Sequence, residues 1–352
     1  LFVYPAQCNF SGYKYPLSWI RQAQTWLFEE HPENPSRWSC FLDAAAFVSS
    51  SELNLGEVQP DFVCISFYKI FGIPTGLGAL IVRNASAHVL NKQYFGGGTV
   101  KIALATQPIH VPKTQLHERF EDGTVNFQAI IALGHALDWF QNGGLTMHII
   151  SEHCFRLTQY LYKRLKALRH GNNMPGVVIY ADSQFSRSST QGPIVNFNLL
   201  NDDGSVAGYN RMMEIAAIAG IHLRSGCFCN PGACQKHLRL SDSEYLQFYS
   251  EAGHVCGDYI DVVNGKPTGS VRASVGYYTR QSDIDMLYFA IRDYLRSLPP
   301  PVLPLIPNVV NNVPMNVDGL VDELPMDLYL MAPAMRLTEM YIYPIKSCRG
   351  MA

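Results

Sequence analysis

The strongest constraint on the fold is a set of short apolar runs, each ending at a residue able to do chemistry. Residues 39–42 (Ser-Cys-Phe-Leu) end at Asp43, residues 61–67 end at Tyr68 and Lys69, and residues 77–82 form a third run. Runs of this length, rich in β-branched and aromatic residues and bounded by Gly and Pro, predict buried strands. Further along, the spacing changes to three and four residues. Leu145, Ile149, Leu157, Tyr160, Leu161, Leu165 and Leu168 follow it, as do Ile284, Leu287, Tyr288, Ile291, Tyr294, Leu295 and Leu298. Both patterns predict helices, with Ser282 and Asp285 placed as a capping box for the second. Residues 177–180, 194–199 and 271–275 read as strands between them. The class is therefore α/β. In an open parallel sheet of that class, ligands sit beyond the carboxyl ends of strands, where Asp43 and Lys69 fall.

A chain of 352 residues is long enough for two domains. Residues 1–143 read as a larger α/β domain and 144–298 as a smaller one. Pro299-Pro300-Pro301 ends the last helix, 299–333 has linker composition, and 334–352 turns strand-like again. Leu1 in place of Met, and an end at Ala352 in mid-pattern, read as cut ends. With 47% apolar and 16% charged residues, the chain is not of the disordered class. A net charge of −2 without a basic stripe argues against nucleic acid. No apolar run reaches bilayer length and no signal peptide opens the chain, so a membrane is not expected. Nine cysteines, scattered apart from Cys227, Cys229 and Cys234, fit a reducing cytoplasmic setting better than a disulfide scaffold.

Four segments carry candidate chemistry. Lys69 closes an apolar run and precedes a turn rich in Gly, Pro and Thr (residues 71–78). Such a lysine either snorkels to solvent or serves as a reactive amine. Asp43 either caps the Ala44-Ala45-Ala46 segment or supplies an anion to a protonated ring nitrogen; together, Asp43 and Lys69 suit pyridoxal 5′-phosphate (PLP). The loop Arg224-Ser225-Gly226-Cys227-Phe228-Cys229-Asn230-Pro231-Gly232-Ala233-Cys234 brings three cysteines together, with His237 nearby. Its spacing is poor for zinc and its setting poor for a disulfide, so a nucleophilic thiol favoured by Arg224 is the sharper reading. Arg272, inside an apolar strand, wants a carboxylate: either an internal salt bridge or an amino-acid substrate.

Taken together, these strings resemble the molybdenum cofactor sulfurase family and, more broadly, the class V, fold-type I PLP cysteine desulfurases. The likeness runs over residues 1–298. Residues 340–348 (Met-Tyr-Ile-Tyr-Pro-Ile-Lys-Ser-Cys) resemble the opening of the β-rich molybdenum-cofactor domain of the sulfurases. The resemblance implies a large parallel or mixed-sheet domain with a smaller C-terminal α/β domain. It implies Lys69 as the Schiff-base lysine and Asp43 as the partner of the pyridine nitrogen. Ser66 and Tyr68 would flank the cofactor phosphate, and Asn9 would match a cofactor-contacting asparagine. Thr124 would reach the phosphate in the other subunit of a homodimer. Arg272, with Arg224, would hold the substrate carboxylate, and Cys229 would form the persulfide. Ala46 stands where desulfurases carry a glutamine, and their phosphate-cradling loop and ring-stacking aromatic would precede Leu1.

The implied activity is sulfur transfer from L-cysteine, through an enzyme persulfide, to the molybdenum cofactor, which a further C-terminal domain would hold. Client molybdoenzymes of the xanthine dehydrogenase and aldehyde oxidase type are implied in turn. The rivals are a general cysteine desulfurase or selenocysteine lyase, and a catalytically impaired PLP-fold fragment.

Overall fold

The computed structural model describes residues 1–25, 38–72 and 76–296. The expected linker and the strand-like segment after it lie outside these residues, as do Ile73, Pro74 and Thr75 of the turn after Lys69. The described strands are β1 Phe2–Pro5, β2 Cys40–Asp43, β3 Phe62–Ser66, β4 Gly78–Val82, β5 Val100–Ala103, β6 His110–Pro112, β7 Val177–Tyr180, β8 Ile194–Leu199, β9 Arg224–Gly226, β10 Val262–Val263, β11 Lys266–Pro267 and β12 Ser270–Ser274. The helices are α1 Ser18–Thr25, α2 Phe67–Phe71, α3 Leu116–Phe120, α4 Phe127–Asn142, α5 Met147–Lys166, α6 Tyr209–Ile218, α7 Pro231–Leu238, α8 Asp242–Ala252 and α9 Gln281–Leu295.

The first sheet has the order β1-β2-β3-β4. β1, β2 and β3 run parallel, and β4 pairs antiparallel with β3. The parallel strands end together at Pro5, Asp43 and Ser66. The chain leaves each end carrying polar groups, which sets the position of the site. Beneath the sheet, Ile20 of α1 packs with Cys40, Leu42, Phe47 and Val63.

The second sheet is antiparallel throughout, in the order β7-β8-β12-β9. All six residues of β8 are buried, because elements cover both its faces. On one face, Leu161 and Leu165 of α5, Met212 of α6 and Leu287 and Ile291 of α9 meet Val195, Phe197 and Leu199. On the other, Phe10 packs with Tyr180, Phe228, Cys234 and Phe248, so the loop after β1 reaches this second core. The two asparagines of β8 are bonded there through Nδ2, while their buried Oδ1 atoms have no partner. Asn196 Nδ2 donates to Phe10 O (3.1 Å) and Asn198 Nδ2 to Gly269 O (2.9 Å). The loop after β1 turns at Gly12 with φ +77°, where a Cβ would stand 2.5 Å from Gln191 Nε2, so only glycine fits.

α5 follows its sequence signals. Thr146 caps it by accepting from Ile149 N (3.2 Å), and Lys163, Arg164 and Lys166 sit in its last turn, at the negative end of the dipole. The expected capping box of α9 is displaced. The helix begins at Gln281, and Arg280 N donates to Asp283 Oδ2 (2.8 Å). Asp285 instead faces α5, accepting from Tyr160 OH (2.6 Å) and Arg164 (3.3 Å). A cap needs its side chain at the helix start, and here Asp285 is committed to tying two helices together.

Candidate active site

Lys69 does not end a strand. β3 stops at Ser66, and Lys69 lies in the one-turn helix α2, which closes at Gly72 with φ +65°, its N–H donating to Tyr68 O (2.9 Å). The apolar run alone could not reveal this, since Phe67 to Phe71 is as apolar as the strand before it. Lys69 is exposed, and its Nζ stands 5.9 Å from the centroid of the Tyr68 ring.

The lysine opens on a cavity of about 510 Å³ beyond the carboxyl ends of the parallel strands. Asn9, Tyr68, Lys69, Arg224 and Arg272 all line it. Arg272 of β12 and Arg224 of β9 are direct cross-strand partners. Two guanidiniums placed opposite each other repel, so an anion between them would stabilise the pair. Of the two readings of Arg272, the internal salt bridge is not formed: among the described residues, no carboxylate lies within ion-pair distance of it. Instead, its Nη1 donates to Asn9 O (2.8 Å), its guanidinium lies 4.8 Å from the Phe228 ring centroid, and its buried Nε has no partner. Burial, and then the charge of Arg224, push the Arg272 pKa below its ordinary value.

Two further orphaned polar atoms line the same cavity. Gln7 Oε1 and Ser50 Oγ are buried without hydrogen-bond partners. Unpaired buried polar groups are costly. Neither is among the residues that the sequence motifs single out. Gln7 was detectable by the strand-end rule, since it lies two residues from Asn9. Ser50 was not, because it follows a 3₁₀ turn (Phe47–Ser49) that carries no sequence periodicity.

The other candidates are placed differently. Asp43 is exposed, and its Oδ1 accepts from Ala45 N (3.0 Å) and Cys64 Sγ (3.4 Å). Burial and this carboxylate push the Cys64 thiol up to about 11. Asp43 therefore forms a local turn and caps no α-helix, because the chain after it enters the 3₁₀ turn. Ser66 is half-buried at the start of α2, and its side chain does not cap that helix. Thr124 is exposed on the loop between α3 and α4, and neither it, Ser66 nor Asp43 lines the cavity.

Cys227 and Cys234 are joined in a disulfide, contrary to the reading that disfavoured one. Cysteine density over the whole chain is a property of composition. It does not reveal that the turn into α7 brings these two Cα atoms to 5.3 Å. The pairing also removes two thiols from any zinc set, and His237 Nε2 engages Asp182 (3.1 Å). Cys229, between them, is a free, exposed thiol. Phe228 and Cys229 both have positive φ (57° and 56°), a conformation that costs non-glycine residues about 1 kcal/mol or more each. The loop is held from the cavity side: Asn9 Nδ2 donates to Phe228 O (2.7 Å), and Asn230 Nδ2 donates to Asn9 Oδ1 (2.9 Å). Asn230 Oδ1 also caps α7, accepting from Ala233 N (3.1 Å).

A family model for aminotransferase class-V matches residues 36–287. The chain belongs to the aminotransferase class-V family. Within it, the chain is similar to the molybdenum cofactor sulfurase of Homo sapiens, at 49% identity over 84% of this chain and 33% of that protein. It is also similar to molybdenum cofactor sulfurase 3 of Aedes aegypti, at 51% identity over 82% of this chain and 38% of the relative. The chain thus spans well under half the length of these relatives. Among solved structures, the apo cysteine desulfurase of Thermococcus onnurineus NA1 superposes with a TM-score of 0.60 at 19% identity, over 84% of this chain and 60% of that one. A mutant of the C–S lyase C-DES, with glycine covalently linked to its PLP cofactor, gives 0.57 at 17% identity, over 83% and 60%. At such identities it is the fold that is shared, and this class-V chain has the fold-type I architecture its motifs imply.

Proposed function

We propose that this chain is the PLP-binding, sulfur-mobilising part of a molybdenum cofactor sulfurase, taking sulfur from L-cysteine onto Cys229. The observation that carries the reading is the cavity that joins Lys69 to the unpaired Arg224–Arg272 couple, with the exposed Cys229 thiol held on the adjoining loop. The similarity to the sulfurases at about half identity supports this reading beside that of a general desulfurase.

The residues present fit PLP. An amine and a guanidinium pair without a carboxylate partner among the described residues line one cavity large enough for a pyridine phosphate. When bound, PLP supplies the electron sink that weakens the Cβ–S bond of cysteine. Lys69 would hold the cofactor and carry the proton to and from the substrate α-carbon. Arg272, with Arg224, would fix the substrate carboxylate by a charge-assisted fork. Tyr68 and Asn9 would border the cofactor from the cavity wall, and the family resemblance assigns Asp43 to the ring nitrogen and Ser66 to the phosphate, although neither lines the cavity. Thr124 would reach the phosphate in a second copy of the chain, which makes the working unit a homodimer.

The Cys229 thiolate attacks the substrate sulfur as the Cβ–S bond breaks. Alanine leaves after its β-carbon is protonated, and the sulfur stays as a persulfide. The persulfide sulfur would then pass to the molybdenum cofactor as substrate: a two-electron reductant of the thiol class reduces it to sulfide, restoring the Cys229 thiol, the displaced oxo ligand leaves as water, and client molybdoenzymes of the xanthine dehydrogenase and aldehyde oxidase type are thereby activated.

The test is Lys69→Ala. The variant is expected to release no alanine from L-cysteine and to lose the visible absorbance of the PLP-loaded protein. Alanine release at the wild-type rate would overturn the reading.

A further inference from the structure

A second cavity, of about 560 Å³, shares no residue with the first. It lies among the loop after β1, the 3₁₀ turn after β2, the first turn of α5 and the segment 188–190. Its most unusual wall residue is Lys14, only 8% exposed. The ammonium offers three donors. It donates one to Ser188 O (2.7 Å) and stands 5.7 Å from the Phe47 ring centroid. Among the described residues, no carboxylate lies within ion-pair distance of it. Burying an ammonium this way costs several kcal/mol unless something anionic completes its shell. Burial pulls its pKa down to about 8, opposed by the charges of Cys154 and Glu152.

Two independent features lie at the wall of the same cavity. Ser51 is 6% exposed, and its hydroxyl has no hydrogen-bond partner. The twenty-residue helix α5 begins there with Met147 and His148, so the positive end of its dipole lies at the cavity wall. Glu52 also lines the cavity, and Glu152 is engaged with Ser188 Oγ (3.2 Å), so the charge balance suits one anionic group rather than several.

We infer that this second cavity binds a small anion, phosphate or carboxylate in chemistry, held by the Lys14 ammonium, the Ser51 hydroxyl and the first turn of α5. The inference is independent of the sulfur chemistry, because none of these residues touches the first cavity.

Equilibrium dialysis of the cofactor-loaded protein tests it, with inorganic phosphate in one arm and lactate in the other, so that PLP already fills its own site. Saturable binding of about one anion per chain is expected. Lys14→Met should weaken it at least about tenfold and Ser51→Ala several-fold, while Lys163→Met on the exposed side of α5 leaves it unchanged. Tighter binding of phosphate assigns a phosphoryl ligand, and tighter binding of lactate a carboxylate. Ser51→Ala guards against a Lys14 variant that fails to fold. No saturable binding of either anion up to about 10 mM, or equal binding in all variants, overturns the site.

Discussion

The side chains of Asn9 and Asn230, 221 positions apart in sequence, are joined by a hydrogen bond of 2.9 Å. Asn9 stands beyond the carboxyl end of a parallel strand and lines the cavity, while Asn230 follows Cys229 directly. Because Asn9 also accepts the Arg272 guanidinium on its carbonyl and donates to Phe228 O, one residue links the cavity to the cysteine loop. The sequence resemblance placed Asn9 against the cofactor. The structure shows its side-chain amide committed to the loop.

Asn230 also caps α7, so its two roles need separate variants. Asn230→Ser keeps a capping oxygen but cannot span to Asn9. It is expected to hold the melting temperature within a few degrees and slow persulfide formation about tenfold. Asn230→Ala should show the same slowing plus a loss of about 1 kcal/mol. A wild-type persulfide rate in Asn230→Ser would mean that the bridge does not position the thiol.

For Asp43, the competing roles are a local turn and an anion for the cofactor ring. Asp43→Asn keeps an oxygen for Ala45 N but removes the charge. It should bind PLP and lose activity by about a hundredfold, as expected when a charge acting on the reacting system is removed. Activity within about twofold of wild type would leave Asp43 as a turn residue alone.

Cysteine substitutions should separate the carrier from its support. Cys229→Ser is expected to keep the PLP spectrum and form no persulfide, as mapped by mass spectrometry of the loop peptide after L-cysteine. Cys227→Ser and Cys234→Ser break the cross-link and should still carry sulfur on Cys229, with a lowered melting temperature. Cys256, the other exposed free thiol among the described residues, serves as the control: a persulfide found there, or on Cys227 or Cys234 in the Cys229 variant, would reassign the carrier.

Lys14 gives a signature in stability. Its pKa falls to about 8 in the folded chain from 10.5, so within that window the unfolded chain binds more protons. Stability rises with pH wherever that holds. The wild type should therefore gain on Lys14→Met as pH rises from about 8 to 10.5, with the difference flat below about 8. Glu152 and Cys154 face the lysine and are unchanged in both proteins, so denaturant midpoints compared at each pH isolate it. A difference that stays flat through the window would mean the ammonium is not desolvated.

Strand runs and helical spacing were legible because burial imposes a local period. β7 and β8 fall where the sequence placed them as short apolar runs, and α5 and α9 within a few residues, since each of these helices buries one regular face. The motif strings likewise fixed the family, because local chemistry needs those residues in that order. Elements without such a period had to come from the structure. α2 is one apolar turn, indistinguishable from a continuing strand until Gly72 closes it. The Cys227–Cys234 bond, the facing Arg224 and Arg272, and the Asn9–Asn230 bridge depend on strand order and on which loop meets which sheet. Such pairings join residues far apart in sequence, and only tertiary packing decides them.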